Sequence, residues 1–362
     1  MEKARPDAGQ ASLVASRSAA PAGGAARSPW RRRADRLLAA LVWLTLASVV
    51  AAWGLLVFLS DRWWPATLLL FGPRWVLAAP VLAFGSLALG LRRRLLLPLA
   101  AAAAIVFGPL MGLHVPNPLR PEAAGPRVRV LTQNLGRVKL ASEAVGALLT
   151  ELSPDVAAFQ ECSPPGDRVS PFAGYTLHVD YNTCLLTRYP IRKVDARDRK
   201  DVWQKDGSGA ITLYELESPH GVFSLLNLHL DTVRDGLEAI AVRRLSGVPE
   251  LEANTAARRW ESELAREWAR RAAGPLLIAG DFNMPVESGI YRDLWSEFTN
   301  AFSVAGFGYG FTKKTRLLRA RIDHILLGAG WAAERAWVAR SIGSDHHGTV
   351  ADLRWTGAPG GG

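Results

Sequence analysis

The chain has 362 residues, enough for one large domain and an appendage. Its formal net charge of +10 is unevenly spread: residues 1–120 hold 14 Lys and Arg against 4 Asp and Glu, whereas residues 121–362 hold 29 of each. The positive excess lies in the N-terminal third, so the remainder lacks the bulk electrostatic signature of a polyanion-binding protein, although a local basic groove is compatible with it.

Residues 1–30 are rich in Ala, Pro, Gly, Ser and Arg without apolar periodicity, which predicts disorder. Arg31, Arg32, Arg33 and Arg36 follow, and residues 1–36 read as a disordered, basic, cytoplasmic tail. Residues 37–60 then run for 24 positions without a charge. That exceeds the apolar core of a signal peptide, roughly 7–15 residues, and meets the ~20 residues that a membrane-spanning helix needs. Residues 61–74 form a short loop in which Trp63 and Trp64 suit the interfacial belt. Two further apolar runs, 75–91 and 95–113, are separated by Arg92, Arg93 and Arg94. Pro98, Gly108 and Pro109 in the second are tolerated in membrane helices. Residues 37–113 therefore read as three transmembrane helices. The positive-inside rule puts both arginine clusters in the cytoplasm. Three crossings of the plasma (inner) membrane then carry everything after His114 outside.

Residues 114–126 hold four prolines and a glycine and read as a linker. From residue 127 to 355 the pattern is mixed α/β. Short β-rich runs at 128–132, 156–160, 183–187, 210–216, 223–228, 276–279 and 322–327 alternate with helical segments, clearest at 142–152 and 254–273. Ser142 is placed to cap the first helix, and Ser153-Pro154-Asp155 to end it. Trp260, Leu264 and Trp268 make a stripe of core contacts at four-residue spacing, while Arg258 reads as packing or pairing on the helix face. Residues 231–255 are less regular; Arg234, Arg243 and Arg244 there offer forks for phosphate or a solvated charged surface. Residues 356–362 read as a flexible tail. Cys162 and Cys184 lack metal-type spacing and read as buried free thiols, unless the region faces an oxidising compartment, where a disulfide becomes reasonable.

Polar residues cluster where apolar strands end: Asn134, Glu161, His229, Asp281 with Asn283, and Asp323, together with Asp345 and His346 near the C-terminus. Strands that deliver acids, amides and imidazoles to one rim build a polar site on a rigid scaffold. Glu161 and neighbouring acids are hard oxygen ligands suited to Mg²⁺ or Mn²⁺. Asp281 or a His–Asp pair suits deprotonation of water, and Asn134, Asn283 and His229 suit donation to a phosphoryl group. His324 and His347 read as satisfied neighbours, and His114, His178 and His220 carry no signal.

In chain order the segments Thr132-Gln133-Asn134-Leu135, 155–161, 186–191 around Arg188, Asn227-Leu228-His229-Leu230, Gly280-Asp281-Phe282-Asn283, Arg321-Ile322-Asp323 and Ser344-Asp345-His346 resemble the endonuclease/exonuclease/phosphatase superfamily. The resemblance implies a four-layer α/β sandwich of two β-sheets flanked by helices, preceded here by the three transmembrane helices. It implies Glu161 as principal metal ligand with Asn134 beside it and Asp345 in support. His346 is implied as general base oriented by Asp323, with Asp281 competing for that role. Asp281 and Asn283 would position the water and a phosphate oxygen, and His229 would donate to the phosphate or leaving oxygen; Arg188 reads either as binding substrate or as anchoring a loop. The layout is similar to that of membrane-bound teicoplanin-resistance proteins, which implies membrane lipids as partners and a lipid-linked phosphate or pyrophosphate as substrate. A tethered nuclease is the alternative; the zero net charge of residues 121–362 does not favour nucleic acid.

Overall fold

The computed structural model describes residues 28–198, 200, 202, 209–315 and 319–357. The predicted disorder at 1–27 and most of the C-terminal tail, 358–362, lie outside those residues. From Pro29 the chain is already helical, so residues 29–36 are not disordered: α1 spans Pro29–Leu59, with proline in its first turn, where its missing N–H costs nothing. At 31 residues α1 is about 46 Å long. The loop expected at 61–74 contains a short helix, α2 (Trp64–Phe71). Helices α3 (Ala78–Leu91) and α4 (Leu96–Ile105) follow, and α4 runs on through a π-helical turn at Val106–Leu110 that bends at Gly108 and Pro109. Among the described residues, three helical stretches, Pro29–Leu59, Arg74–Leu91 and Arg93–Leu110, are long and apolar enough to cross a membrane. Their outer faces leave large apolar side chains uncovered, Phe58 at 71% and Leu97 at 79% among them, which suits a lipid environment.

The remainder forms two six-stranded sheets packed face to face. The first has the order β13-β14-β1-β2-β4-β3, built from β1 (Arg127–Asn134), β2 (Val156–Gln160), β3 (Thr176–Asp180), β4 (Thr183–Thr187), β13 (Trp331–Val338) and β14 (Thr349–Trp355). The second has the order β5-β6-β7-β8-β12-β9, built from β5 (Ile191–Ala196), β6 (Ala210–Ser218), β7 (Gly221–His229), β8 (Leu276–Asp281), β9 (Thr299–Asn300) and β12 (Asp323–Leu327). A small ribbon pairs β10 (Lys313–Lys314) with β11 (Arg319–Ala320).

Period-two alternation sorts the side chains into layers. Val128, Val130, Val156, Ala158, Phe223, Leu225, Leu277 and Ala279 fill the space between the sheets. Leu131, Ala157 and Phe159 face the other way, against Val145, Leu148, Leu149 and Leu152 of α5 (Glu143–Leu152), which Ser142 caps as expected. Leu226, Leu228 and Ile278 face Leu264, Ala265 and Trp268 of the long helix α7 (Val248–Ala269), with Trp260 at the margin. This is the expected four-layer sandwich.

Local corrections follow from chemistry that pattern reading undervalued. Residues 231–255 are helical over most of their length: α6 covers Arg234–Arg243, and α7 runs Val248–Ala269 rather than 254–273, because Pro249 is tolerated in a first turn. Arg243 there pairs with Glu250 at 2.8 Å. Cys162 and Cys184 are not free thiols but a disulfide, their Cα atoms 5.9 Å apart. The linker is anchored at its start, since the His114 backbone bridges Gly308 and its Nε2 accepts from Arg321 at 3.1 Å.

Candidate active site

The two parallel strand pairs, β1 with β2 and β7 with β8, point their C-terminal ends at the same rim. Antiparallel β12 begins there, with Asp323 opposite Asp281. Gly280 lets the second pair close: an added Cβ would lie 1.9 Å from the Leu228 carbonyl oxygen. Just past β2 and β8, Glu161 (φ 47°) and Asn283 (φ 50°) take left-handed backbone although neither is glycine. Such conformations persist where surrounding contacts over-determine them, and they cluster at functional sites.

The side chains meet in one network. Asn134 Nδ2 donates to Glu161 Oε1 and to Asp281 Oδ2, both at 2.9 Å, while its Oδ1 accepts from Gly136 N. His229 Nε2 lies 3.9 Å from Glu161 Oε1 and 3.8 Å from Asp281 Oδ2. His346 Nδ1 donates to Asp323 Oδ2 at 3.0 Å, and its Nε2 faces Asp281 Oδ2 at 3.7 Å. Asn283 N donates to Asp281 Oδ1 at 2.9 Å and its side-chain amide to the Leu230 carbonyl at 2.8 Å. The support is polar and buried: Ser344 Oγ donates to the Asn134 carbonyl, Gln133 Nε2 to the His346 carbonyl, and Thr312 Oγ1 accepts from Asp323 N.

These surroundings tune two groups in a complementary way. Burial, reinforced by Asp323, pushes the Asp281 carboxyl up; His346, His229 and Asn134 pull against it. Burial works to lower His346, but Asp323 and Asp281 prevail and raise it to about 9. The unperturbed site thus holds an imidazolium beside a carboxylate with raised proton affinity. Asp281, Asp323 and His346 bring three ligand atoms within 4.8 Å of one another and form a possible acidic metal site. Asp323 is already committed to His346, however, whereas Glu161 is 44% exposed to the cavity and shares the Asn134 amide with Asp281. Two carboxylates converging on one amide hydrogen-bond donor suit a hard divalent cation at the Glu161 side.

The cavity above has a volume of about 450 Å³. Its polar lining includes Glu161, His229, Asp281, Asn283, Asp345 and His346; its apolar wall is Phe71, Leu230, Val233, Leu237, Ala241 and Ile322. Asp345 sits at the rim paired with Lys313, and this pairing overcomes burial to hold its carboxyl below the ordinary range. Of the three arginines in 231–255, Arg234 lines the cavity.

Eight of the nine predicted site residues are therefore brought together, and Arg188 is not. Strand β4 runs antiparallel to β2, so Thr183 pairs with Gln160 near the site while Thr187 pairs with Val156 at the opposite end. Arg188 continues past that far end, where it contacts the Tyr175 hydroxyl and ring. Asn134 is in the cluster, but with its amide nitrogen toward the carboxylates; ligation through oxygen requires the amide to turn over. His324 is satisfied as expected, donating to the Met284 carbonyl and accepting from Asn300. Lys313, in the two-residue strand β10, and Phe71, at the end of α2, leave no such signal in the sequence, because neither is a polar residue that closes an apolar strand and only the fold brings them to the cavity.

Solved structures similar to the chain include a humanised D. rerio TDP2 (14% identity, 63% of this chain and 99% of that one, TM-score 0.48). Others are an endonuclease/exonuclease/phosphatase from Beutenbergia cavernae (16%, 64% and 72%, 0.47) and the 3′ phosphatase NExo from Neisseria bound to a DNA hairpin (17%, 63% and 100%, 0.46). No curated protein matches by sequence. The profile of the Endonuclease/Exonuclease/phosphatase family matches residues 131–346, which span the whole polar cluster from the end of β1 to His346, and the chain belongs to that family.

Proposed function

We propose that the protein is a Mg²⁺- or Mn²⁺-dependent phosphoester hydrolase that acts on a lipid-linked phosphate or pyrophosphate at the outer face of the plasma membrane. The observation that carries the substrate class is the cavity wall. Phe71, from a helix between two candidate membrane spans, lines the same cavity as His229, Asp281 and His346, next to Leu230, Val233, Leu237, Ala241 and Ile322. A polar catalytic floor beneath an apolar wall supplied in part by the anchor suits a molecule with a phosphate head and a hydrocarbon tail. Lys313 and Arg234 at the rim suit its negative charge. Two features support an outward-facing site: the flanking arginine clusters and the Cys162–Cys184 disulfide, since cytosolic thiols are kept reduced.

In this reading Glu161, with Asn134 and Asp281 beside it and Asp345 at the rim, would hold the divalent cation. When bound, the cation neutralises charge on the phosphoryl oxygens. Asp281, raised by burial, takes the proton of the attacking water. His346, held protonated by Asp323, donates Nε2–H to a phosphoryl oxygen and offsets the charge that develops there. Asn283, fixed by Asp281 and Leu230, keeps the water in line, and His229 donates to the phosphate or leaving oxygen.

The test offers purified full-length protein, with Mg²⁺ or Mn²⁺, a polyprenyl pyrophosphate, sphingomyelin, inositol phosphates, plasmid DNA and the soluble diester bis(4-nitrophenyl) phosphate. The expected result is turnover of the polyprenyl pyrophosphate that chelation abolishes. Preferred cleavage of DNA replaces the lipid reading with that of a tethered nuclease, and no turnover of any phosphoester overturns the enzyme reading. An active periplasmic reporter fused after Trp355 is the expected topology result; a signal from a cytoplasmic reporter alone reverses the orientation.

A further inference from the structure

The loop that leaves the active site is held by the membrane anchor. It runs from Asp281 through Asn283 to the start of α8 (Gly289–Trp295). At its far end, Ser60 and Asp61, the first residues after α1, act as caps. Ser60 Oγ accepts from Gly289 N at 2.7 Å and donates to the Glu287 carbonyl at 3.2 Å. Asp61 Oδ2 accepts from Gly289 N at 2.8 Å, from Ile290 N at 3.4 Å and from the Ser288 hydroxyl. A first turn needs such acceptors because its N–H groups have no partner within the helix. The arrangement is reciprocal, since Arg292 of α8 donates to the Leu56 and Val57 carbonyls at the end of α1, at 3.0 and 2.8 Å. The backbones approach so closely that a Cβ on Gly289 would lie 2.6 Å from the Ser60 carbonyl oxygen.

At the near end of the loop, Arg258 of α7 is fully buried. Its guanidinium faces Asp61 Oδ1 at 3.5 Å, donates to the Asn283 carbonyl at 3.4 Å and lies over the Phe71 ring at 5.0 Å. Asp231 and Glu261 add negative charge around it. Asp61 is itself buried and holds a left-handed backbone (φ 57°). One anchor carboxylate thus reaches both ends of the active-site loop, directly at residues 288–290 and through Arg258 at Asn283.

We propose that Ser60 and Asp61 are positioning residues for the hydrolytic reaction, so that the anchor completes the active site rather than merely tethering it. Removing the Asp61 charge leaves Arg258 with an incomplete set of counter-charges in a buried site. It also loosens α8, releasing Asn283 from the geometry that aligns the attacking water. Misplacement of a reacting group by about 1 Å lowers turnover on the order of 100-fold.

The experiment uses the full-length protein in detergent or nanodiscs. Asp61→Asn, Arg258→Met, the double variant and Arg62→Ala are compared by hydrogen–deuterium exchange, and by bis(4-nitrophenyl) phosphate hydrolysis with Mn²⁺. Arg62 pairs with Asp293 at the same junction but does not touch the loop. The expected result for Asp61→Asn is faster exchange confined to residues 282–292 and a kcat lowered roughly 10- to 100-fold, with KM within about 2-fold. Arg258→Met added to Asp61→Asn costs less than it does alone, as coupling requires, and Arg62→Ala behaves as wild type. The turnover arm rests on the hydrolase reading; the exchange arm does not, so the two fail separately. Wild-type exchange in 282–292 for Asp61→Asn overturns the proposal. So does wild-type kcat, or an equal loss in Arg62→Ala, which would mark a generic loosening of the junction.

Discussion

The two halves of the sandwich share a plan and differ in exposure. Strands β14-β1-β2-β4 and β6-β7-β8-β12 each place a parallel pair between two antiparallel neighbours. Each parallel pair is followed by a residue with left-handed backbone, Glu161 in one half and Asn283 in the other. Glu161 keeps 44% of its side chain exposed, whereas that of Asp281 keeps 1%. The same scaffold therefore makes two kinds of carboxylate. In the proposed function the open one offers charge to a cation, while the closed one, in a poorly polarisable surround, gains affinity for a proton. On this account, environment rather than residue type divides the labour of the site.

The sharpest way to break the comparison is to neutralise each carboxylate in turn. Asp281→Asn is expected to lower kcat roughly 100- to 10,000-fold, the range of a lost general base, and excess Mn²⁺ should not restore it. Glu161→Gln is expected to weaken apparent metal affinity on the order of 10- to 100-fold, with activity partly recovered at high Mn²⁺. Metal titrations of both variants decide; identical responses would end the distinction between the halves.

The disulfide belongs to the open half, joining the residue after Glu161 to β4 across a separation of 22 residues. Loop closure of that length stabilises the fold by about 3 kcal/mol. Reduction is expected to lower the midpoint of denaturant unfolding accordingly, and thiol labelling of the unreduced, unfolded chain should find no free cysteine.

Two buried histidines, His324 on β12 and His346 just before β14, give opposite pH signatures. Burial, with Arg321, lowers His324 to about 3. The unfolded chain binds that proton near pH 6.5, so stability is full above 6.5 and falls on acidification toward 3 by up to about 1.4 kcal/mol per unit. His346 is raised to about 9. Its contribution is complete below pH 6.5 and is lost as pH rises through 9. Imidazole titration by NMR in chelated protein is expected to find His346 near 9 and, in Asp323→Asn, displaced toward 6.5.

Much of the fold and candidate site is legible in the sequence because polar residues at strand ends are announced by the apolar runs before them; Asn134, Glu161, His229 and Asp281 all follow that rule. Residue order alone does not say at which end of a strand a residue lies, and Arg188 fails for that reason: its strand runs the other way. Side chains that matter through tertiary contact leave no local mark. Asp61 and Arg258 sit on different elements with no shared pattern, and the Cys162–Cys184 pairing depends on β2 and β4 being neighbours. Residues 231–255 looked irregular because arginines, glycines and Pro249 obscure two helices whose stability comes largely from packing.

The most direct test of the account is the dependence of kcat/KM on tail length for isoprenoid pyrophosphates that share one head group. Burial along the wall from Phe71 to Ile322 predicts a steep rise, about 0.8 kcal/mol per buried methylene, levelling once the wall is covered, with every substrate in the series requiring Mg²⁺ or Mn²⁺. A flat dependence, with plasmid DNA cleaved in preference to all of them, would contradict it.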